Sequence, residues 1–387
     1  MKIVHLCLSG PYNDNWGYQD NLLPLYHEKL GHDVTVIATN TMHGPKGPII
    51  PTDEGNYHLE NGLHIIRLSV KPLINMKFGQ AYSYFQVYDL LISLKPDFIM
   101  IHGLITITAL QAIKYKKKIN IDCIIVADTH QDYNNSPIKN TIKNRIFNMS
   151  LRILNKVCIK YYKHVFGLAP ACIDYAVERF NIPTERFELL PLGCDTDVIR
   201  WEEKNDIRMN VSQKYGLLNT DFIVVSGGKL DELKNTHSLI EAVGKTHNKN
   251  IKLIVFGSIT DEYKDRISKL MDKYREKVVY TGFLSLSEVS DLYLAADLAV
   301  FPGSQSALWQ QAIASGVPAA FKKWSNISYL DVGGNCIFLE KADCQEIIDL
   351  IESLANDCKK IIKMKEVARI QGYNRFSYRE IARKSLE

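Results

Sequence analysis

Apolar runs of strand length alternate with longer amphipathic stretches along the chain. In the first half, the apolar runs predict strands at 2–8, 33–39, 63–69, 97–102, 121–128, 165–168 and 187–191. The stretches between them predict helices at 19–30, 81–94, 105–116, 139–163 and 170–180. Because strands and helices alternate regularly, we expect a parallel sheet with helices on both faces.

A polar, charged segment from Asp195 to Lys214 interrupts this pattern, and the alternation then resumes. The second half predicts strands at 222–226, 251–256, 277–280, 298–301, 317–321 and 336–339. It predicts helices at 235–246, 261–275, 287–295, 307–315, 343–356 and 358–370, and a last amphipathic stretch at 376–386. We therefore expect an α/β protein with domains at 1–200 and 201–372. A C-terminal helix within 373–387 is expected to return to the first domain.

Composition narrows the class of protein. The 387 residues suffice for two domains of ordinary size. With 47 basic and 43 acidic residues the net charge is +4, which is too mild for a dedicated nucleic-acid binder, so no nucleic-acid partner is expected. The eight cysteines include no pair with CxxC spacing, and no apolar run reaches the roughly 18 residues that a membrane span needs. The strand-like start at 2–8 is unlike a signal peptide. We expect reduced thiols and a cytoplasmic protein.

Two loops that follow strands carry candidate chemistry, because ligands of open parallel sheets bind beyond the carboxyl ends of the strands. The loop Ser9–Tyr18 contains Gly17 but no GxGxxG fingerprint. The segment Ser226–Thr236 carries Lys229 and Lys234 beside two glycines, just before a helix. Lysines five residues apart across a turn can converge on one anion, for which a diphosphate is the natural guest. Two solvated surface lysines fit the spacing equally well.

The second segment also resembles a known family. Gly228-Lys229-Leu230, Lys234-Asn235 and Leu239–Ala242 are similar to the signature of family-4 glycosyltransferases, which are retaining enzymes of the GT-B architecture. Further stretches match in order at Gly31–Val36, Leu190–Asp195, Val279–Phe283, Leu292–Asp297 and Ala314–Pro318. Together they cover nearly the whole chain. The resemblance implies two Rossmann-like parallel-sheet domains that face each other across a cleft.

The resemblance implies roles for catalytic residues. Lys234 matches the lysine that holds the donor's diphosphate. Lys229 stands where the family usually has arginine, which keeps the charge but loses the bidentate fork. His130 follows a strand, as the family's active-site histidine does, and would hold sugar hydroxyls. These three residues are the expected catalytic set.

Further residues are expected to bind the substrates. Gly17 matches the glycine-rich loop that touches donor phosphate and acceptor, Gly228 lies in the donor loop, and Phe283 lies where the backbone contacts the nucleobase. Tyr18 and His102 are the acceptor-side candidates. His102 ends a strand, and a hydrogen-bonded structural histidine fits that position equally well.

One departure from the family concerns two glutamates separated by seven residues, which hold hydroxyls of the sugar and the ribose. Gln311 stands at the place of the second, and the first has no counterpart in a shorter loop that contains Ser304, Gln305 and Ser306. We expect these four residues to bind the donor. An amide both donates and accepts hydrogen bonds, but the lost charge predicts altered sugar recognition.

The favoured function is a retaining, metal-independent hexosyltransferase without a cofactor. It would move a sugar from a nucleotide-diphospho-sugar, expected to be UDP-linked, to a glycan or polyprenyl-linked glycan in bacterial surface polysaccharide or glycoprotein biosynthesis. Asp195-Thr196-Asp197 has a metal-binding form but falls in the linker, where a turn or helix start is expected. Two alternatives stay open: a GT-B sugar-nucleotide epimerase or phosphorylase, and a non-catalytic partner subunit.

The stretch 139–163 is basic and contains no acidic residue. Its cations are Lys139, Lys143, Arg145, Arg152, Lys156, Lys160 and Lys163. Apolar residues recur at helical spacing at Ile142, Ile146, Met149, Ile153, Val157 and Tyr161. The helix could lie on an anionic membrane surface, which would make the protein peripheral on the inner face of the plasma membrane. Alternatively it packs its apolar face into the core, and the pattern alone favours this second arrangement slightly.

Overall fold

Each half of the chain folds around its own sheet, which is parallel except for an antiparallel edge strand in the first half. A computed structural model describes residues 1–44, 48–69, 86–133, 135–136 and 141–387. The first unit comprises Met1–Pro191 together with Ile381–Glu387, and the second comprises Leu192–Glu380. This confirms the predicted α/β class with two parallel-sheet domains. The units divide at Pro191 and Leu192, a little before the expected boundary at residue 200.

The first unit contains an eight-stranded sheet in the order β10-β9-β8-β7-β1-β2-β6-β5, and β3 pairs with β4 apart from it. The strands are β1 Lys2–Cys7, β2 Asp33–Thr39, β3 Thr41–His43, β4 Ile49–Pro51, β5 Gly55–His58, β6 His64–Leu68, β7 Phe98–His102, β8 Ile124–Thr129, β9 Val165–Gly167 and β10 Phe187–Leu189. Its helices are α1 Gln19–Lys29, α2 Val87–Leu94, α3 Ala109–Lys118, α4 Ile142–Cys158 and α5 Pro170–Phe180.

The central strands are buried because helices cover them. Leu6, Ile99 and Ile125 are at most 1% exposed, and each such apolar side chain stabilises the fold by about 1.5–3 kcal/mol. Strands β3, β4 and β5 were not predicted, since they are short and lack a buried run. The first part of the helix expected at 81–94 and the start of the stretch at 139–163, including Lys139, lie outside the described residues.

The second unit contains a six-stranded, wholly parallel sheet in the order β13-β12-β11-β14-β15-β16. The strands are β11 Phe222–Leu230, β12 Ile251–Ile259, β13 Val278–Tyr280, β14 Leu298–Phe301, β15 Ala319–Lys322 and β16 Cys336–Leu339. Its helices are α6 Lys204–Lys214, α7 Thr236–Lys245, α8 Asp261–Lys273, α9 Leu286–Ala295, α10 Leu308–Ala314, α11 Cys344–Asn356, α12 Cys358–Val367, α13 Tyr373–Phe376 and α14 Tyr378–Leu386.

The end of the chain differs from the expectation of a break at 371–374. A π-helical turn at Ala368–Gly372 joins α12 to α13, so helical backbone continues to Phe376. Gly372 permits this path, since a Cβ there would lie 2.6 Å from the Ile313 side chain on α10. Helix α14 begins in the second unit, and its residues from Ile381 onwards belong to the first.

Helix α4 also corrects the sequence interpretation. Its apolar residues Ile142, Ile146 and Ile153 are 77%, 67% and 61% exposed, whereas the expectation favoured a core-facing stripe. Leu151 and Cys158 supply the buried face instead. Among the described residues, no helix is both long and apolar enough to cross a membrane.

Candidate active site

The loop between β1 and α1 is held by a buried arginine on β6. The Arg67 guanidinium donates to the carbonyls of Tyr12 and Thr39 at 3.0 and 2.9 Å, and to the Asp14 carboxylate at 2.7 Å. Arginine stays charged when buried, so each of these acceptors offsets part of its desolvation. The loop beyond Asp14 is exposed at Gly17 and Tyr18. Both predicted residues therefore lie on a fixed, solvent-facing loop of the first unit.

Two carboxylates and two imidazoles meet where β7 and β8 end. His102 Nδ1 lies 2.7 Å from Asp128 Oδ2, and His130 Nε2 lies 3.0 Å from Asp128 Oδ1. Asp20 Oδ1 from α1 lies 3.4 Å from the same nitrogen of His102 and 3.7 Å from that of His130. The structure thus brings the predicted residues His102 and His130 together around Asp128, which is fully buried.

A chain of histidines continues from this cluster into the core. His102 Nε2 lies 2.9 Å from His5 Nδ1, and His5 Nε2 lies 3.0 Å from His27 Nδ1. His27 Nε2 lies 2.8 Å from the Ser385 hydroxyl on α14. Burial, together with the neighbouring His27 and His102, holds the pKa of His5 well below its usual value. Burial likewise lowers the pKa of His27 to about 3. These inner histidines are neutral at pH 7, so the chain can consist of neutral hydrogen bonds.

Charge is confined to the outer cluster. Burial alone would lower the pKa of His130, but the carboxylates of Asp128 and Asp20 outweigh it and raise the pKa to about 9. Burial would likewise lower the pKa of His102, but the carboxylates of Asp128 and Asp20 outweigh burial and raise this pKa. Burial would raise the pKa of Asp128, but His130 and His102 outweigh burial and hold it well below its usual value. The buried Asp128 carboxylate therefore contacts both rings and favours their protonated forms.

The cluster opens into a pocket that presents polar atoms. Its lining residues are Cys7, Ser9, Gly10, Asp20, His102, Gly103, Ile105, His130 and Gln131. Buried Ser9 Oγ and Gln131 Oε1 have no hydrogen-bond partner among the described residues. Leaving a buried polar atom unpaired costs about 1–3 kcal/mol. A ligand that carries several hydroxyls would satisfy both atoms.

The loop after β8 is fastened locally. The Asn135 backbone N–H donates to Asp132 Oδ1 at 2.8 Å, and the Asp132 N–H donates to Asn135 Oδ1 at 3.0 Å. The Asn135 amide also donates to the His130 carbonyl at 2.8 Å. These bonds fix the backbone that carries His130.

Asp20, His102 and His130 could also approach one metal ion, because one ligand atom of each lies within 4.8 Å of the others. The imidazole nitrogens involved already face the Asp128 carboxylate, and both pKa values are raised. A metal ion would have to displace a proton from each ring. The raised pKa values of His102 and His130 therefore favour protonated rings over rings that bind a metal ion.

In the second unit, the carboxyl ends of β11 and β12 approach closely. Gly228 and Gly257 are paired across the two strands with φ of +119° and +113°. A Cβ on Gly257 would lie 1.9 Å from the Gly228 carbonyl, so only glycine fits. The strand β11 extends to Leu230, past the predicted end at residue 226, and Lys229 lies exposed on it. Lys229 therefore projects from a strand end and not from a flexible loop.

Lys234 is tied to the loop that follows β14. Its ammonium donates to the carbonyls of Ser304 and Gln305 at 2.9 and 2.7 Å. Burial lowers the pKa of this lysine, although Asp231 opposes the shift. A Cβ on Gly303 would lie 2.2 Å from the Leu233 carbonyl, so the two loops are in direct contact. Lys234, Ser304 and Gln305 thus form one loop cluster.

Helix α7 begins without a side-chain cap. Asn235 has a left-handed backbone with φ of +53° and makes no capping hydrogen bond. Its amide donates instead to the carbonyls of Pro302 and Ala342, at 3.3 and 2.9 Å. Asn235 therefore joins the Lys234 segment to the loop after β14.

The remaining donor-side residues surround this cluster. Ser306 lies close to Gly228, since its hydroxyl would be 3.9 Å from a Cβ there. Phe283 is 84% exposed and follows Gly282, whose carbonyl accepts from the Gly257 N–H at 2.7 Å. Gln311 on α10 is 8% exposed, and its Nε2 has no hydrogen-bond partner among the described residues.

Several site residues escaped the sequence analysis. Asp20, Asp128, Ser9 and Gln131 all line or support the pocket of the first unit, and none was singled out. A usable signal was present at Asp128, which is an acid at the end of an apolar strand, two residues before His130. Residues i and i+2 of an extended strand point to the same side.

Asp195 and Asp197 form a local turn. Asp195 Oδ1 accepts from the Asp197 N–H at 3.2 Å and caps a short 3₁₀ helix at Thr196–Val198. The Asp197 carboxylate lies 3.5 Å from Arg379. This is the turn that the sequence favoured over a metal site.

Two family models match the chain. The model described as Glycosyltransferase Family 4 matches residues 25–198, and the model described as Glycosyl transferases group 1 matches residues 208–371. The first match lies almost wholly in the first structural unit and the second lies within the second unit. Between them the two models span most of the chain.

Two curated proteins are similar in sequence. An uncharacterized glycosyltransferase of Methanocaldococcus jannaschii is 28% identical over 149 residues, which are 36% of this chain and 37% of the relative. The mannosylfructose-phosphate synthase of Agrobacterium fabrum is 23% identical over 219 residues, which are 52% of this chain and 47% of the relative. The matched region thus spans less than half of either relative.

Solved structures share the fold over the whole chain. The Anabaena protein Alr3699/HepE in complex with UDP superposes with a TM-score of 0.70 at 15% identity, covering 100% of this chain and 98% of that one. WaaG, a glycosyltransferase involved in lipopolysaccharide biosynthesis, superposes with a TM-score of 0.64 at 17% identity, covering 99% and 98%. At these identities the likeness shows the fold alone. It confirms the predicted GT-B class with two Rossmann-like domains.

The ionisation of His130 can be tested directly. We expect its pKa at about 9 in the native protein, and a clearly lower pKa in Asp128→Asn, because that change removes the carboxylate 3.0 Å away. Since the folded pKa exceeds the unfolded value of about 6.5, the associated stability is fully present below pH 6.5 and is lost as the pH rises through 9. Titration of the histidine ring resonances by NMR measures the shift.

Asp20→Asn is the matched control for this titration. Its carboxylate lies farther from His130, at 3.7 Å, so it should lower the pKa of His130 less than Asp128→Asn does. A native pKa near 6.5, or equal shifts in the two variants, would contradict the assigned pairing.

Proposed function

We propose that this chain, which belongs to the family-4 glycosyltransferases, transfers a sugar from a nucleotide-diphospho-sugar to a glycan acceptor. The observation that carries the proposal is the loop cluster of the second unit, where Lys234 contacts Ser304 and Gln305 beside the glycine pair at the end of β11. Glycine backbone and cationic side chains at the carboxyl end of a parallel sheet suit a diphosphate. We propose UDP as the nucleotide, since Alr3699/HepE was solved with UDP and with UDP-glucose.

The two lysines would serve the leaving group differently. Lys229 is exposed, so its ammonium is free to meet a phosphate. Lys234 is held by two carbonyls and would contribute a fixed charge at the mouth of the cluster. As the bond to the anomeric carbon breaks, negative charge grows on the diphosphate, and preorganised cations lower the free energy of that state.

We propose that the reaction retains the anomeric configuration. The acceptor hydroxyl would attack from the face of the leaving group, and the departing phosphate would take its proton. No protein carboxylate then has to act as the base. This agrees with the state of Asp128, whose two oxygens are already committed to His102 and His130.

We propose that the pocket of the first unit binds sugar hydroxyls. The imidazolium of His130 is a hydrogen-bond donor, while Asp20 and the unpaired oxygens of Ser9 and Gln131 are acceptors. Such a mixture matches a polyol better than an apolar ligand. Tyr18, 56% exposed on the neighbouring loop, would support the acceptor.

We further propose a glycan or polyprenyl-linked glycan as the acceptor, in bacterial surface polysaccharide or glycoprotein biosynthesis at the inner face of the plasma membrane. The support is the fold shared with WaaG, which is involved in lipopolysaccharide biosynthesis. A non-catalytic partner subunit is the second candidate, because Gln311 replaces a family glutamate. A thermal-shift screen against nucleotide sugars, followed by assays for transferred and free sugar, separates these functions.

Lys234→Ala should lower the transfer rate by about a hundredfold while the protein stays folded, because a preorganised contact to the leaving group contributes about 3 kcal/mol. Lys229→Ala should cost less, since Lys234 can screen the diphosphate alone. Lys245→Ala is the control, because its ion pair with Glu241 is exposed and should not affect the rate. Near-normal turnover of the Lys234 variant would contradict the assignment of Lys234 to a diphosphate site.

Gln311→Ala should weaken binding of the nucleotide about five- to tenfold, which is the contribution of one hydrogen bond. Gln311→Glu, which restores the family's carboxylate, should bind at least as tightly as the native protein. Gln310→Ala is the matched control, since Gln310 Nε2 already donates to the Tyr329 hydroxyl at 2.9 Å, whereas Gln311 Nε2 has no partner among the described residues. Calorimetry with UDP measures all three. Equal affinity of native protein and Gln311→Ala would exclude Gln311 from the donor site.

We propose that transfer needs no metal ion or other cofactor, because lysines and backbone N–H groups would stabilise the diphosphate. Activity should therefore be unchanged after dialysis against EDTA, as measured by product formation with and without added manganese. Activity that disappears with EDTA and returns with manganese would overturn this proposal. Asp20→Asn would then test whether the His102–His130 cluster binds the ion.

A further inference from the structure

Helix α4 carries a continuous apolar stripe on its outer surface. Ile142, Ile146, Met149, Ile153 and Val157 are 77%, 67%, 57%, 61% and 46% exposed. They recur at intervals of three or four residues, so they lie along one face of the helix. At 1.5 Å per residue the stripe is about 22 Å long. A run of five exposed apolar side chains is far more than the scattered single residues of an ordinary surface.

The opposite face of α4 is the one that packs against the first unit. Leu151 and Cys158 are 1% exposed, and the buried Asn155 amide donates to the Leu104 carbonyl at 2.9 Å. The Arg152 guanidinium anchors the helix further by donating to the carbonyls of Glu178 and Arg179. The position of the helix is therefore fixed from within, and the outer stripe is not needed for the core.

Positive charge borders the stripe. Lys143 lies on one side of it and Lys156 on the other, both exposed, and Lys160 follows just beyond the end of the helix. The helix from Ile142 to Cys158 contains no acidic residue. An apolar face bordered by cations and lacking acids is complementary to a surface that combines anionic groups with hydrocarbon.

The neighbouring end of α3 extends this surface. Lys117 and Lys118 are exposed, as are Ile119 and Ile121, at 50% and 68%. The Lys117 ammonium lies 5.6 Å from the ring of Tyr161, which follows α4 in the chain. The same combination of apolar and basic side chains thus recurs beside the helix.

We propose that the outer face of α4 lies on an anionic lipid surface, with its apolar stripe at the boundary of headgroups and acyl chains and its lysines on lipid phosphates. Lipid is preferred over a protein partner because the charges have one sign and none of the five apolar side chains is aromatic, although aromatic residues are enriched at protein interfaces. Binding would be reversible and sensitive to salt, since screening limits the range of the charges to about 8 Å at physiological ionic strength. The inference does not depend on sugar transfer.

The test is flotation of the full chain with vesicles of phosphatidylglycerol and phosphatidylcholine, and with vesicles of phosphatidylcholine alone. The native protein should float with the anionic vesicles in low salt, and far less in high salt or with neutral vesicles. Replacing Lys143, Lys156 and Lys160 by Ser should weaken binding by roughly fivefold for each charge. Ile146→Gln with Ile153→Gln should reduce binding at least tenfold.

Matched controls lie in the second unit. Leu218→Gln with Ile362→Gln removes apolar side chains of similar exposure, 65% and 63%. Replacing Lys359, Lys360 and Lys363 of α12 by Ser removes the same charge elsewhere. Both controls should float like the native protein, and all variants should keep the native thermal midpoint because every altered side chain is exposed.

Three results would overturn the proposal. The first is a native protein that stays at the bottom of the gradient with anionic vesicles. The second is equal loss of flotation in the α4 variants and the α12 control. The third is a dimer in sedimentation without vesicles that Ile146→Gln and Ile153→Gln dissociate, since the stripe would then be covered by a second copy. Transfer to a water-soluble acceptor, measured in parallel, reports on the proposed function separately.

Discussion

The carboxyl ends of parallel strands must lie on one edge of their sheet, and the candidate site residues of both units depend on that constraint. In the second unit it brings Lys229, Gly257 and Phe283 to the same edge as the loop after β14, although they are far apart in sequence. In the first unit it sets His102 beside Asp128 and His130. Helices can then vary around each sheet without displacing these ends.

Charge burial is the second organising effect, and it acts differently in the two units. The cost of burying Asp128 is offset by its contacts with His102 and His130, and neutral histidines continue the chain to Ser385. The Lys234 ammonium is held by backbone carbonyls, and burial lowers its pKa although Asp231 opposes the shift. The first arrangement suits the orientation of hydroxyl groups, whereas the second leaves positive charge available to an anion.

The periodicity of the sequence predicted the two α/β domains and nearly all of their central strands. It did not predict the order of the strands in either sheet. It gave the spacing of Ile142, Ile146 and Ile153 but could not tell whether that stripe faced inward, because Leu151 and Cys158 offer an alternative buried face. The family resemblance named Lys234 and His130. It did not name Asp128, whose position at a strand end marks a candidate acid but does not show that its carboxylate contacts both His102 and His130.

The most direct test of the central claim is backbone hydrogen exchange with and without saturating UDP. Binding at the strand ends of the second unit predicts slower exchange in three segments: 226–236, 281–284 and 302–311. Exchange within α4 should not change. Unchanged exchange in all three segments at a UDP concentration that saturates binding, or protection confined to other parts of the chain, would contradict the account.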